Sequence, residues 1–295
     1  MPPYCISSVF SRRDFLKWVL AMAGLMAFPK TEGLAAVGKM ATWHEPVWIW
    51  NLTSGKRMGP VSWGPVPDGR PGSVMKLITA AALLEDRLIA PEQAFSCTGR
   101  IKLQGQSYVC QHAHGTVAME EAIGVSCNVF FAQAVQRLSR RRLFHYARRF
   151  QLDRSLNSDE PFRFISTQAQ QSIQQLALGL SPDIQPNAWQ LLRVAKIIAG
   201  CEIAEFRPNT WKILQGGMRL AVRNGTAQAL DPADFYRLAA KTGTVPHGDR
   251  FDSWLIGYFP VEKPRLAFCA RAFAGTAKES AVPLLRQFLA EHQGL

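Results

Sequence analysis

The sequence predicts an α+β fold: a mostly antiparallel five-stranded sheet flanked by helices, with an all-helical lobe beside it. Three observations carry this. Strand-like segments lie at both ends of the chain, helix-like segments lie between them, and the apolar period changes at Arg237.

Taken in order, "EPVWIWNLTSGKRMGPVSWG" reads as two strands joined by a turn at Thr53 to Lys56. "RPGSVMKLITAAALLED", residues 70 to 86, places a Pro71-Gly72 turn before an apolar run from Val74 to Leu84, which predicts a buried helix. Residues 87 to 115 are turn-rich, with Gly99, Gly105 and Gly115. From Met119 to about Phe150 the pattern is helical, interrupted at "GVSCN". "TQAQQSIQQLALGL" and "NAWQLLRVAKIIAG" predict amphipathic helices with small turn residues after each. "RLAAKTGTV", "DSWLIGYFP" and "PRLAFCARAFA" predict strands separated by "PHGDRF" and "VEKP", and "ESAVPLLRQFLAEH" predicts a closing helix. The N-terminal hairpin and the three C-terminal strands would form one sheet. The helical lobe, roughly 87–210, would be an insertion, with Ser73 at the boundary beside a cleft.

Composition narrows the classes. The 295 residues suit one large domain or two packed ones, and 47% hydrophobic with 19% charged residues is globular composition. The net charge is +12, part of it in "RLSRRRLFHYARRF", residues 137 to 150. A basic helical face suits a polyanion, but a solvated helix surface is the commoner use. With no nucleic-acid motif beside it, nucleic acid is not an expected partner.

The N-terminus reads as an address. "SRRDFLK" carries the pair Arg12 and Arg13, followed by an apolar run from Trp18 to Phe28. That run is shorter than the roughly 20 residues of a membrane span and fits a signal-peptide core. The order resembles a twin-arginine export signal, Lys30 suits that route, and "EGLAAVG" offers cleavage near Ala35 or Ala36. Residues 1–36 are therefore expected to be a signal peptide and residues 37–295 the working domain, periplasmic and without a stable membrane span after cleavage. Five cysteines remain beyond Cys5, namely Cys97, Cys110, Cys127, Cys201 and Cys269. In an oxidising compartment Cys97 and Cys110 are the expected disulfide, closing a short loop. No Cys-x-x-Cys pair exists and the histidines lack zinc-site spacing, so no metal and no cofactor are expected.

Three fragments carry chemistry. Helical positions i and i+3 share a face, so Ser73 and Lys76 can direct hydroxyl and amine at one spot. A lysine near a core loses solvation and its pKa falls, and a neutral amine beside a serine hydroxyl is a nucleophile with its base. The same pair also suits an N-cap serine and a snorkelling lysine. Ser126 and Asn128 sit at the helical break, where side chains can face a cleft. Lys241, Thr242, Gly243 and Thr244 lie on a predicted strand, where Gly243 lets a ligand approach the backbone. Ser-x-Asn recurs at Ser155 to Asn157.

Ser-x-x-Lys, Ser-x-Asn and Lys-Thr-Gly, in that order, resemble the motif set of the penicillin-recognising serine acyltransferases. Residues 46 to 290 resemble the transpeptidase module of the penicillin-binding proteins nearly end to end, through "TSGKRMGPV", "PGSVMKLITAAALLE", "HGTVAMEEAIGVSCNVFF", "GMRLAVRNGTAQAL" and "LAAKTGTV". The third run is the most specific and places the second motif at Ser126, not Ser155. The resemblance implies a DD-transpeptidase/beta-lactamase-like fold acting on D-Ala-D-Ala stem peptides of peptidoglycan, with beta-lactams as ligands. It implies Ser73 as nucleophile, Lys76 as base and Ser126 as proton relay. It further implies Asn128 on the substrate amide, the Ser73 and Thr244 N–H groups as oxyanion hole, and Lys241, Thr242 and Thr244 on the substrate carboxylate.

Other residues carry plainer expectations. His112 and His114 are expected in a turn, Trp43, Trp48, Trp50 and Trp63 in packing, and Cys127 as a small buried residue. "DRSLN", residues 153 to 157, resembles the deacylating Glu-x-x-Leu-Asn loop of class A beta-lactamases, but Asp153 is one methylene short of glutamate. Large relatives carry a further module, whereas only "VGKMATWH" separates the signal from the first strand, which implies a stand-alone catalytic module. A class D-like beta-lactamase is the alternative, although its second motif has an aliphatic residue where Asn128 stands. A non-enzymatic penicillin-sensing or scaffold module would be expected to lose motif residues, and none is lost. The export reading has a direct consequence: with Arg12 and Arg13 both changed to lysine, cell fractionation should find the protein in the cytoplasm, and normal arrival in the periplasm would refute the signal.

Overall fold

The structure is a computed structural model, and it describes residues 46–60, 69–152, 172–231, 233–273 and 275–292. Its centre is a five-stranded sheet in the order β2–β1–β9–β8–β7. The strands are β1 (Val47–Asn51), β2 (Arg57–Met58), β7 (Ala239–His247), β8 (Arg250–Phe259) and β9 (Leu266–Ala272), and every neighbouring pair is antiparallel. The N-terminal hairpin joins the C-terminal strands through β1 and β9, with Ile49 opposite Phe268. This is the sheet the two ends of the sequence predict.

Alternation along these strands builds two hydrophobic layers. Trp48, Trp254, Ile256, Tyr258 and Cys269 face the helical side, whereas Val47, Ile49, Leu255, Phe268 and Ala270 pack beneath α8 (Ala281–Glu291). The helical side holds α1 (Met75–Glu85), α2 (Met119–Gly124), α3 (Asn128–Ala134), α4 (Arg140–Arg149), α5 (Ile173–Ala177), α6 (Ala188–Gly200) and α7 (Pro208–Asn224). Every residue of α1 from Met75 to Leu84 is buried, which is why its sequence is apolar all round and not striped. Among the described residues no helix is long and apolar enough to cross a membrane.

The structure departs from the sequence reading in three places. The turn-rich segment contains two small antiparallel pairs, β3 (Phe95–Cys97) with β6 (Gly115–Val117) and β4 (Arg100–Leu103) with β5 (Gln106–Val109). "PHGDRF" is no loop: β7 and β8 continue through it, pairing His247 with Arg250 around a Gly248-Asp249 turn. Ladder hydrogen bonds extend past the buried part of the sheet, where polar side chains hide the strand from pattern reading. Helix α7 was not foreseen because Pro208 and the pair Gly216-Gly217 suppress helical propensity. Those glycines serve packing, since a Cβ on Gly217 would lie 2.5 Å from Ile123 Cβ and one on Gly216 2.5 Å from the Glu120 carboxylate. The basic run 137–150 folds largely as α4, where Arg140 pairs with Asp183, Arg142 with Asp86 and Arg149 with Glu205. Three of its arginines are thus tied to the protein's own acids.

The signal segment, Trp43, Trp63 and the "DRSLN" stretch lie outside the described residues. Trp48 is buried, and Trp50 is half-buried beneath the cations of Arg57 and Lys196.

One close approach fixes the boundary between sheet and helices. Gly72 takes φ +54° and its N–H donates to the Gly179 carbonyl at 3.1 Å. A Cβ on Gly179, itself at φ +71°, would lie 2.1 Å from the Gly72 oxygen. Gly179→Ala should therefore lower stability by about 1–3 kcal/mol in denaturant unfolding, the range for overpacking. Gly105 has φ +80° but open space around it, so Gly105→Ala should cost only about 1–2 kcal/mol of left-handed strain and leave the cleft intact. A larger stability loss at Gly105 than at Gly179 would contradict this account.

Candidate active site

The cleft is assembled from three segments that meet where α1 begins. Ser73 sits half-buried in a 3-10 turn, Gly72–Val74, immediately ahead of α1. Strand β7 runs beside that turn so closely that only glycine fits at two positions. A Cβ on Gly72 would lie 2.9 Å from the Thr244 nitrogen, and one on Gly243 would lie 2.4 Å from the Pro71 oxygen. The sequence predicts that a ligand approaches the backbone at Gly243; what the structure brings close there is the chain's own Ser73 turn.

The second segment is the elbow between α2 and α3. Ser126 has φ +56°, the left-handed conformation that usually selects glycine. The Ser126 N–H donates to Ile123 O at 3.2 Å and the Cys127 N–H to Ala122 O at 2.9 Å. This is the Schellman end of a helix with serine in the glycine place. The elbow aims the Ser126 hydroxyl inward and lets Cys127 cap α3, its sulfur accepting the Phe130 N–H at 3.3 Å.

Two amines converge there. Lys76 Nζ donates to Ser126 O at 2.6 Å, Asn128 Oδ1 at 2.6 Å and Ser126 Oγ at 3.1 Å. Lys241 Nζ donates to Ser126 Oγ at 3.0 Å and Thr242 O at 3.0 Å. Both lysines are fully buried, so neither snorkels. Burial lowers Lys76 to about 8, and burial together with the Lys76 charge lowers Lys241 well below the ordinary lysine value. Two ammonium groups on one hydroxyl in a buried site repel, so the pair shares its protons as a unit. Lys76, with three acceptors, is the better seat for the proton in the free protein.

Above the lysines lies a cleft of about 380 Å³ lined by Ser73, Ser126, Asn128, Thr242 and Thr244. Its wall also contains Asn224, Gly225, Thr226, Gln228, Thr276 and Lys278, to which sequence reasoning gave no role. Thr242 Oγ1 donates to Thr226 Oγ1 at 2.7 Å, and the Ala277 N–H donates to Thr244 Oγ1 at 3.0 Å. The run "GMRLAVRNGTAQAL" was the available signal for Thr226. No described lining residue is a carboxylate, and Lys278 in the wall with Lys76 and Lys241 beneath favours an anionic ligand.

The cysteines depart from expectation. Cys97 and Cys110 are free thiols with sulfurs 3.8 Å apart, so the expected disulfide is not formed. Cys110 Sγ also lies 3.8 Å from Cys127 Sγ and accepts the Asn128 N–H at 3.2 Å. A hydrogen bond from Cys127 and the neighbouring N–H groups lower the Cys110 thiol to about 5, and sharing that proton pushes Cys127 up. Cys97 Sγ is 3.4 Å from His114 Nδ1. No metal site is expected from the sequence, yet Cys97, Cys110, His114 and Cys127 place ligand-type atoms all within 4.8 Å of one another. His112 and His114 share the turn before β6, ring centroids 4.6 Å apart.

A family model described as the penicillin-binding protein transpeptidase domain matches residues 69–289. Comparison with curated protein sequences gives no match. The fold is similar to penicillin-binding protein PBP2 of Helicobacter pylori, with TM-score 0.69 and 18% identity over 86% of this chain and 61% of that one. It is also similar to the D,D-transpeptidase domain of a peptidoglycan glycosyltransferase from Eggerthella lenta, with TM-score 0.70 and 18% identity over 86% and 79% of the two chains. The transpeptidase domain of Burkholderia pseudomallei penicillin-binding protein 3 gives TM-score 0.70 and 16% identity over 83% and 86%. The chain spans 56% of the length of a neighbour from a peptidoglycan synthase complex. At these identities the neighbours speak for the fold, while the family match takes in every segment that builds the cleft, so the chain belongs to the penicillin-binding protein transpeptidase domain family.

Proposed function

We propose that this chain is a serine acyltransferase that works on D-alanyl-D-alanine stem peptides of peptidoglycan, as transpeptidase or carboxypeptidase, and is acylated by beta-lactams at Ser73. The observation that carries the reading is the meeting of two buried amines, Lys76 and Lys241, on the Ser126 hydroxyl beneath a cleft whose described lining holds no carboxylate. A stem-peptide carboxylate and a penicillin carboxylate are both anions that such a floor attracts.

In this reading the substrate carboxylate settles against Lys241, Thr242 and Thr244 and favours the charge on Lys241. The proton then passes from Lys76 through the Ser126 hydroxyl, and Lys76 becomes a neutral base. Ser73 Oγ attacks the carbonyl carbon of the penultimate D-alanine as Lys76 takes its proton. The N–H groups of Ser73 and Thr244 hold the oxyanion, a role suited to the packing of the Ser73 turn on β7. The C–N bond breaks, Ser126 passes a proton to the departing amine, and an ester on Ser73 remains. An acceptor amine or water then releases the acyl group. Asn128 would bind the substrate amide, its side chain oriented by an Nδ2–H bond to Val109 O at 2.6 Å. The periplasm, reached by the twin-arginine signal at Arg12 and Arg13, is the proposed place of work.

Fluorescent penicillin should label the wild type covalently and leave Ser73→Ala unlabelled. Labelling that survives this change, or maps to Ser126, would overturn the assignment. Lys76→Ala should slow acylation by about 10²–10⁴-fold, the range for a general base. The acylation rate of the wild type should fall as pH rises through about 8, because there the pair loses the single proton that must pass from Lys76 to Lys241 when the substrate carboxylate binds. A rate independent of pH from mild acid to mild base would remove Lys76 from that role.

The penicilloyl ester should persist for minutes or longer in intact-mass measurements. Asp153, the one candidate for deacylating base in the sequence reading, is shorter than the glutamate of that role and must come within about 3 Å of a water. Rapid multiple turnover of penicillin, abolished by Asp153→Asn, would instead make the chain a beta-lactamase.

A further inference from the structure

We propose that Cys97, Cys110, His114 and Cys127 form a closed four-ligand zinc site that clamps the Ser126–Asn128 elbow in its working shape. The four residues come from separate pieces of the fold. Cys97 ends β3, Cys110 follows β5, His114 precedes β6, and Cys127 caps α3. Their spacing in sequence matches no compact zinc motif, and tertiary structure alone gathers them.

All four ligand-type atoms lie within 4.8 Å of one another, and three of the distances between them match the edges of a zinc tetrahedron. Zinc bonds of about 2.3 Å to sulfur and about 2.0–2.1 Å to nitrogen space two sulfurs about 3.8 Å apart and a sulfur and nitrogen about 3.6 Å apart. The structure gives 3.8 Å for Cys97–Cys110, 3.8 Å for Cys110–Cys127 and 3.4 Å for Cys97–His114 Nδ1. A disulfide would require sulfurs at about 2.0 Å, and it would serve only two of the three thiols. Backbone N–H groups of Asn128 and Phe130 already donate to Cys110 and Cys127, as thiolate ligands require of their surroundings. Four protein ligands leave no open position, so the metal is structural and takes no part in the chemistry.

The coupling to the cleft is short. Cys127 is the residue between Ser126 and Asn128, whose polar groups hold Lys76. A bond from Cys127 to a metal anchored on β3, β5 and β6 would fix both neighbours and offset the left-handed strain at Ser126. On the proposed reading of Arg12 and Arg13, the same site gives twin-arginine export a purpose. Three adjacent thiols are prone to oxidation in the periplasm, whereas in the reducing cytoplasm they are free to take up zinc. A twin-arginine signal carries its cargo already folded, and therefore already loaded.

The test uses the full mature chain purified from the periplasm, with zinc measured by elemental mass spectrometry and acylation by fluorescent penicillin. One zinc per chain is expected. Cys110→Ser and His114→Ala should each lose most of it, while Cys201→Ser, outside the cluster, should keep it. If the site variants do not fold, wild type refolded with cobalt(II) must show intense thiolate-to-cobalt absorption. Its absence, or a metal-free chain with a Cys97–Cys110 disulfide, overturns the site. Chelated but folded protein should acylate at least tenfold more slowly, and an unchanged rate refutes the clamp. Zinc content and cobalt spectra do not depend on Ser73, so failure of the zinc site and failure of the acyltransferase reading are separable. The same chain exported unfolded behind a general secretory signal should arrive oxidised and zinc-poor; full zinc content there would refute the order of loading.

Discussion

Two lysine amines buried on one serine hydroxyl set the terms for everything around them. An isolated buried ammonium costs several kcal/mol unless acceptors surround it. Lys76 meets that demand with a backbone carbonyl, an amide oxygen and the Ser126 hydroxyl, and Lys241 with the same hydroxyl and Thr242 O. The chain needs an inward-facing hydroxyl and carbonyl from a single residue at this point. That requirement explains the Schellman end of α2, the positive φ of Ser126 and the abrupt restart as α3. Backbone strain at Ser126 and lowered lysine pKa values are two consequences of one arrangement.

The arrangement holds only if the three segments cannot drift apart. Glycines at 72, 179 and 243 remove the side chains that would separate the Ser73 turn from β7 and from the segment after α5. Behind them the buried Asp252–Arg271 pair, bonded at 2.9 and 2.7 Å, backs Gly69, where a Cβ would lie 2.5 Å from either partner. Trp254 Nε1 donates to Arg70 O at 3.1 Å, and the Arg271 guanidinium lies 4.2 Å from the Trp254 ring centroid. Sheet side chains thus hold the entry to α1 from below. A buried ion pair adds little net stability, but breaking one side of it leaves an unpaired charge. Its evident service here is to fix geometry.

The opposite side of the cleft is held by helix contacts and by sulfur. Gly216 and Gly217 let α7 settle on α2, which sets the height of the elbow relative to β7. The Cys97, Cys110, His114 and Cys127 cluster ties that elbow to the two small sheets. Neither small sheet has a core of its own, so their attachment to the elbow gives them a defined place. The cleft is rigid on the β7 side through steric fit and on the elbow side through polar and sulfur contacts.

Much of this was legible in the sequence, for reasons that are local. Buried strands and helices must carry apolar residues at fixed periods, so the hairpin at Val47, the α1 helix and the C-terminal strands were readable in order. Ser73 and Lys76 were readable because one helical turn joins them, and the three motifs because their residue types are uncommon in combination. What the sequence did not disclose depends on partners far away in the chain. Pro208 and two glycines concealed α7, whose stability comes from packing on α2. Thr226 gains its role from a bond to Thr242, and His247 its strand from pairing with Arg250. Cys97 and Cys110 suggested a disulfide because sequence spacing and compartment point to pairs. Tertiary structure decided otherwise, since it brings a third sulfur and an imidazole to the same point. Local periodicity determined the elements; long-range contacts decided which charges, thiols and hydroxyls would meet.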